Sequence, residues 1–264
     1  MRNILSVVIC VLLANALQAQ QKEGMVIYER VMQMQFRVDD NDHMAQMMPK
    51  SRTDKFELSF GNNQSLWKHM EEDNTADEMN NGGMQIRMIG PGQDDIIFCN
   101  FDAGRKTEQR SMFDKKFIVS DSIKKLNWKI TGETKTILGH VCQQALAPRY
   151  GKRTMMNMDN GKLERKEIND TTNMVAWFTT DVPVSAGPEV QGQLPGLILA
   201  LDMNDGRMVY KALEISAKVN LATIKEPVKG KKVTPEEFRT ETQKMMEEMQ
   251  KNQGAGNRTI RINN

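Results

Sequence analysis

The run Leu197-Ile198-Leu199-Ala200-Leu201 constrains this chain more than any other stretch. It is apolar on both faces and too short for a helix, so it reads as a strand buried on both sides. Pro195-Gly196 precedes it, with Gly187-Pro188 and Gly192 further upstream, so the approach is a loop. Pro195 fixes φ near −65° and Gly196 can take a positive φ, which together read as the centre of a type II turn. Asn204-Asp205-Gly206 then signals a hairpin. The return strand places Val209, Leu213, Ile215, Ala217 and Val219 on one face. An open sheet normally buries one face, so the second face of this strand needs a cover. A C-terminal helix, a second sheet, or loops closing a cavity could supply it.

The rest of the chain reads as short alternating segments separated by turns. Val26, Tyr28, Met32, Met34, Phe36 and Val38 share a face. Phe56, Leu58 and Phe60 form a second strand, Gly61-Asn62-Asn63 turns it, and Leu66-Trp67 begins the return. Met84, Ile86 and Met88 alternate again, and Ile96 to Phe101 is a short apolar strand. Residues 105 to 121 read as a hairpin about Asp114-Lys115. Trp128, Ile130, Ile137 and Leu138 lead through Gly139-His140 into Val141 to Ala147. Arg149 to Lys166 reads as a long exposed loop or a mobile hairpin, and Met174 to Thr179 as a central strand.

After Val219 the pattern changes. Residues 225 to 232 are Lys-rich with Pro227 and Gly230, and read as a linker. Thr234-Pro235-Glu236-Glu237 is a helix start, with Thr234 and Glu237 as a capping box and Val233 and Phe238 as a hydrophobic staple. Phe238, Met245 and Met249 line one face of the helix. The fold class is therefore mostly β: an antiparallel meander forming a curved sheet or open barrel, or a sandwich, with one C-terminal helix. The expected divisions are a signal peptide over 1–19, a β domain over 20–224, linker and helix over 225–253, and a disordered tail over 254–264.

The signal reading rests on Arg2, an apolar stretch from Ile4 to Leu13 too short to span a bilayer, and small residues at Ala14, Ala16 and Ala19. Ile9 before Cys10 is not the small residue that a lipoprotein signal requires, so no lipid anchor is expected. Export to the periplasm or beyond follows, and no later stretch reads as a transmembrane segment. In that compartment Cys99 and Cys142 could form a disulfide or remain two separate buried thiols.

The chain has 264 residues with a net charge of +2, so neither an acidic nor a basic partner is implied. Aromatics make up 6% and do not interleave with a basic stripe, which argues against nucleic acid. His43, His69 and His140 lie outside any catalytic motif, and Asp39-Asp40 and Asp94-Asp95 lack the pattern of a calcium hand. Neither enzymatic chemistry nor a cofactor is expected. The unusual number is 21 methionines. Thioethers are soft ligands, so His43 with Met44, Met47 and Met48 is an alternative Cu(I) or Ag(I) site. The bland reading is that Met substitutes for Leu in cores and on adaptable surfaces.

Leu194-Pro195-Gly196-Leu197-Ile198-Leu199 resembles the signature of the GLPGLI family, secreted proteins of Bacteroidetes-type bacteria. Trp128-Lys129-Ile130-Thr131, Ile137-Leu138-Gly139-His140 and Val175-Ala176-Trp177-Phe178-Thr179 resemble its upstream blocks. Where the signature opens on glycine this chain has Gln193, with Gly192 one position earlier. The resemblance implies an envelope or secreted protein without established catalytic residues, associated with TonB-dependent receptors. The expected function is binding of an apolar ligand or an envelope partner protein. Trp128, Trp177, Leu197 and Leu199 are expected to line an apolar groove, with Pro195 and Gly196 as its structural turn.

Overall fold

A computed structural model describes residues 21–34, 50–70, 95–112, 115–159 and 162–254. It contains one open sheet and a C-terminal helix. The strands are β1 (Gly24–Gln33), β2 (Ser51–Gly61), β3 (Gln64–His69), β4 (Ile96–Asn100), β5 (Arg105–Met112), β6 (Lys115–Ser122), β7 (Lys129–Ile137), β8 (His140–Asp159), β9 (Lys162–Thr179), β10 (Leu197–Met203), β11 (Met208–Ser216) and β12 (Lys231–Val233). The helix, α1, is Pro235–Gly254. The spatial order is β12-β6-β5-β4-β3-β2-β1-β11-β10-β9-β8-β7. Two meanders, β2 to β6 and β7 to β11, therefore flank β1, and the sheet closes into neither a barrel nor a sandwich. Every pairing is antiparallel except β12 with β6.

The pairing register carries one face across the sheet, because side chains alternate with period 2. Tyr28 stands opposite Phe56 and Ala212, Leu58 opposite Trp67, and Trp67 opposite Ile97. This inner face holds the larger core cluster, including Val26, Tyr28, Phe56, Leu58, Phe60, Trp67 and Tyr210. Its far end, at Phe117 and Val119, is covered by Val233, Phe238 and Met245. The helix starts as the capping box requires: Glu237 N donates to Thr234 Oγ1 at 3.2 Å, and Thr234 N donates to Glu237 Oε2 at 2.8 Å. The side chain of Met249 lies outside the described residues.

Two bulges correct the expected alternation. Between β1 and β11, Ile27 pairs with Glu214 and Tyr28 with Ala212, so Leu213 is an extra residue. The inner face of β11 is therefore Tyr210 and Ala212, joined by Ile215 only beyond the bulge. Leu213, expected inside, is 43% exposed, and β11 ends before Ala217 and Val219. A second bulge falls in β10, where Ile198 pairs with Phe178 and Ala200 with Trp177, leaving Leu199 unpaired.

The cover for the central strand is segment 180–196, which forms neither strand nor helix. Val182, Val184, Ala186, Val190 and Leu194 join the core cluster. Leu197 N donates to Val182 O at 3.1 Å and Ile198 N to Ala186 O at 2.9 Å. From the sheet side, Tyr28 OH donates to Ile198 O at 2.6 Å.

Other expectations change. Gly196 does not take a positive φ, so Pro195-Gly196 is not the type II turn expected. Glycine is needed there because a Cβ would lie 2.1 Å from Thr179 O. Of the two readings of the segment after Arg149, the hairpin holds and the loop falls, since the strands are registered from Gln143 opposite Phe178 to Asp159 opposite Lys162. The expected linker ends in strand, because Lys231 to Val233 pair in parallel with Phe117 to Val119. Cys99 and Cys142 are separate, buried free thiols, so the disulfide alternative falls. Burial pushes the Cys99 thiol up to about 12. The expected signal peptide and the residues Phe36, Val38, Met84, Ile86 and Met88 lie outside the described residues.

Candidate functional site

The sheet is not covered evenly. Segment 180–196 lies over one half of the inner face and α1 over the far end. Between them is a cleft of about 610 Å³. Its floor comes from β1, β2, β3, β4, β5 and β11 through Arg30, Phe56, Trp67, Ile97, Glu108 and Tyr210. Phe56 and Trp67 stack with centroids 5.0 Å apart, and Tyr210 meets Trp67 edge-on at 5.9 Å. These rings pack mainly on one another, since even Trp67 is only 6% exposed.

Glu189, Gln191 and Gln193 form one wall, at alternate positions along the cover segment. Each ties the segment to a different part of the sheet. Tyr210 OH donates to Glu189 Oε1 at 2.8 Å, and Ser65 Oγ donates to Gln191 Oε1. Leu126 N and Trp128 Nε1 donate to Gln193 Oε1 at 2.9 and 3.0 Å. The residue that departs from the expected glycine signature is thus a bridge to Trp128. Both glutamines spend their carbonyl oxygens on the protein, so their NH2 groups are what they offer to the cleft.

The floor and rim are charged, and the charges are paired. Arg30 donates to Asp54 Oδ2 at 2.7 Å and sits 4.7 Å over the Phe56 ring. Arg52 reaches Asp54 Oδ1 at 2.9 Å. Burial pushes the Asp54 carboxyl up, but Arg30 and Arg52 outweigh it and hold the group below its ordinary value. Glu108 is governed the same way: burial raises it, and Arg110 and Lys106 bring it below the usual range. Arg110 lies 2.6 Å from Glu108. At the mouth, Arg149 on β8 faces Glu189 across 3.6 Å, and the neighbouring Tyr150 is 77% exposed.

The expected groove residues are not brought together here. Leu197 and Leu199 are 0% exposed in the core and face no open space. Trp177 lies elsewhere on the sheet, half-buried, with Lys135 Nζ 4.0 Å from its ring centre. Trp128 reaches the cleft only through Gln193. Pro195 and Gly196 bring the chain into β10 beneath Thr179. His43, Met44, Met47 and Met48 lie outside the described residues. Sequence reasoning missed Arg30, Asp54, Glu108 and Glu189. Arg30 and Asp54 left one signal, charged residues in phase with the apolar face of their strands.

Residues 128–200 match a family model described as "Protein of unknown function (Porph_ging)". The family is Bacteroidetes-associated. The matched stretch runs from Trp128 through the cover segment into β10, so it contains Glu189, Gln191 and Gln193. The GLPGLI-like blocks fall within the same stretch. No curated protein matches the chain. Two solved structures of PNGF-II, in C2 and P21 space groups, are similar at TM-scores of 0.49 and 0.47, each with 14% identity. They cover 83% of this chain and 32% and 33% of their own, so the chain spans about a third of their length. LprF from Mycobacterium bovis is similar at a TM-score of 0.27 and 9% identity, covering 81% of this chain and 92% of its own.

Proposed function

We propose that this is a non-enzymatic secreted or cell-envelope binding protein whose ligand or partner segment enters the inner-face cleft. The observation that carries the reading is the cleft itself: about 610 Å³ left open on the inner face between the two covers. Its floor of aromatic and paired charged side chains and its charged rim suit a ligand that is part apolar, and not a bare hydrocarbon chain. The chemistry supports binding over catalysis. Asp54 and Glu108 are held ionised by cation partners, whereas a general acid or base near neutral pH needs a carboxyl tuned upward. Burial raises the hydroxyl of Tyr210 and the thiol of Cys99 away from their reactive forms.

The test is native mass spectrometry of the protein purified from its own envelope fraction. A bound small molecule or peptide in the wild type, lost in Ile97→Trp, supports the reading. Ile97 is a half-buried floor residue, and a larger side chain there fills the cleft. Protein that carries no adduct from any preparation would count against it.

A further inference from the structure

We propose that Glu189 and Arg149 at the cleft mouth recognise the two opposite charges of a zwitterionic ligand, a short peptide with free termini. The inference rests on the cleft being a binding site and adds the class of ligand.

Among the described residues, five cationic and four anionic side chains border the cleft, so they favour neither a simple anion nor a simple cation. Most of these groups are committed to close partners: Arg30 to Asp54 at 2.7 Å, Arg110 to Glu108 at 2.6 Å, and Lys124 to Asp121 at 3.1 Å. Arg149 and Glu189 differ. They belong to separate elements, β8 and the cover segment, and stand 3.6 Å apart, beyond hydrogen-bond length. Their side chains are 40% and 34% exposed, so a ligand can reach both. Tyr210 fixes one oxygen of Glu189, and the other points toward Arg149.

The backbone at Glu189 is also strained. Its φ is +60°, and Val190 N donates to Pro188 O at 2.6 Å around it. This is a γ-turn centred on a non-glycine residue with positive φ, a conformation that costs on the order of 1 kcal/mol or more. Val190 and Leu194 beside it supply the apolar contacts to the core. The turn brings the carboxylate to the mouth. A ligand ammonium set against Glu189 and a carboxylate against Arg149 would replace one loose pair by two charge-assisted hydrogen bonds. The NH2 groups of Gln191 and Gln193 along the wall suit peptide carbonyls, and Tyr150 offers a ring to an apolar side chain. A sugar is less well served, because Phe56, Trp67 and Tyr210 are almost fully buried and leave little ring face for it to stack on.

The experiment is calorimetric titration of the mature chain with leucyl-phenylalanine, its N-acetyl form and its C-terminal amide. Wild type should bind the free dipeptide at least tenfold more tightly than either capped form. Glu189→Gln should lose about the same factor for the free dipeptide and almost nothing for the N-acetyl form. Arg149→Gln should show the same relation to the amide. Circular dichroism of both variants controls for folding, and neither side chain is in the core. Equal binding of free and capped dipeptides, or variants that weaken all forms alike, would overturn the assignment. Binding of maltotriose or palmitate in place of the dipeptide would overturn it too, while leaving the cleft as a binding site. Failure of every probe, with no adduct on the native protein, would overturn the cleft reading itself.

Discussion

Replacing Gly196 with alanine tests how the central strand is held. A Cβ at this position would lie 2.1 Å from Thr179 O, 2.8 Å from Thr179 C and 3.3 Å from Thr180 Cα. An ordinary carbon–oxygen approach is about 3.3 Å, so the two segments must separate by roughly 1 Å. The obstacle is backbone, which cannot swing aside as a side chain can. Thr179 also pairs with Leu197, the next residue, so the displacement falls on the β9–β10 ladder where the cover segment joins it. Overpacking of this kind costs typically 1–3 kcal/mol, and the rigid neighbours put Gly196→Ala near about 3 kcal/mol. At about 2–4 °C per kcal/mol for a domain of this size, the melting temperature should fall by roughly 6–12 °C. The control is Gly206→Ala in the β10–β11 turn. Gly206 has φ +86° and open space around its missing Cβ, so alanine there meets conformational strain alone, about 1 kcal/mol. The assay is urea unfolding of both variants, read as a change in midpoint at constant m. A Gly196→Ala midpoint equal to or above that of Gly206→Ala would refute the steric account.

Four further outcomes follow from the structure. Asp54→Asn leaves Arg30 and Arg52 buried without their carboxylate, and should destabilise the protein by about 3–5 kcal/mol in urea unfolding. Because Asp54 and Glu108 are held below their ordinary values when folded, their stabilisation is complete above the unfolded carboxyl range near pH 4. It should be lost as pH falls through the lower folded values, visible as acid unfolding that Asp54→Asn blunts. Truncation after Gly230 removes Val233, Phe238 and Met245 from Phe117 and Val119, so thermal scans should show a lower melting temperature, and an unchanged one would mean that the helix is not part of the core. Cys99 and Cys142 should resist Ellman's reagent in the native protein and both react in denaturant without prior reduction.

What was legible in the sequence was local. Alternation over Val26–Tyr28 and Phe56–Phe60, the Asn-rich turns with positive φ at Asn62, Asn63, Asn204 and Asp205, and the Thr234–Glu237 box each depend on residues a few positions apart. The failures have physical causes. A bulge at Leu213 inverted the face of β11, and periodicity cannot register an extra residue. The cover segment alternates only briefly, at Val182, Val184 and Ala186, and forms no strand, although its apolar residues lie beside the strand they cover. The cleft was the least legible part, because Arg30, Trp67, Glu108 and Glu189 come from separate elements and meet only through the register of the sheet. Reading Leu197 and Leu199 as groove residues correctly recognised a strand buried on both faces, but supplied a ligand where segment 180–196 already lies.

The central claim is that the open part of the inner face, and not the packed strand beneath segment 180–196, is where this protein binds. Hydrogen-exchange mass spectrometry of the natively purified protein, before and after removal of its bound molecule by partial denaturation and refolding, tests this most directly. The account predicts that the bound molecule protects amides around Arg30, Trp67, Ile97 and residues 189–193, with β7 and the β8–β9 hairpin beyond Tyr150 unchanged. Protection confined to β7 and the exposed face around Trp177, with none at residues 189–193, would contradict it.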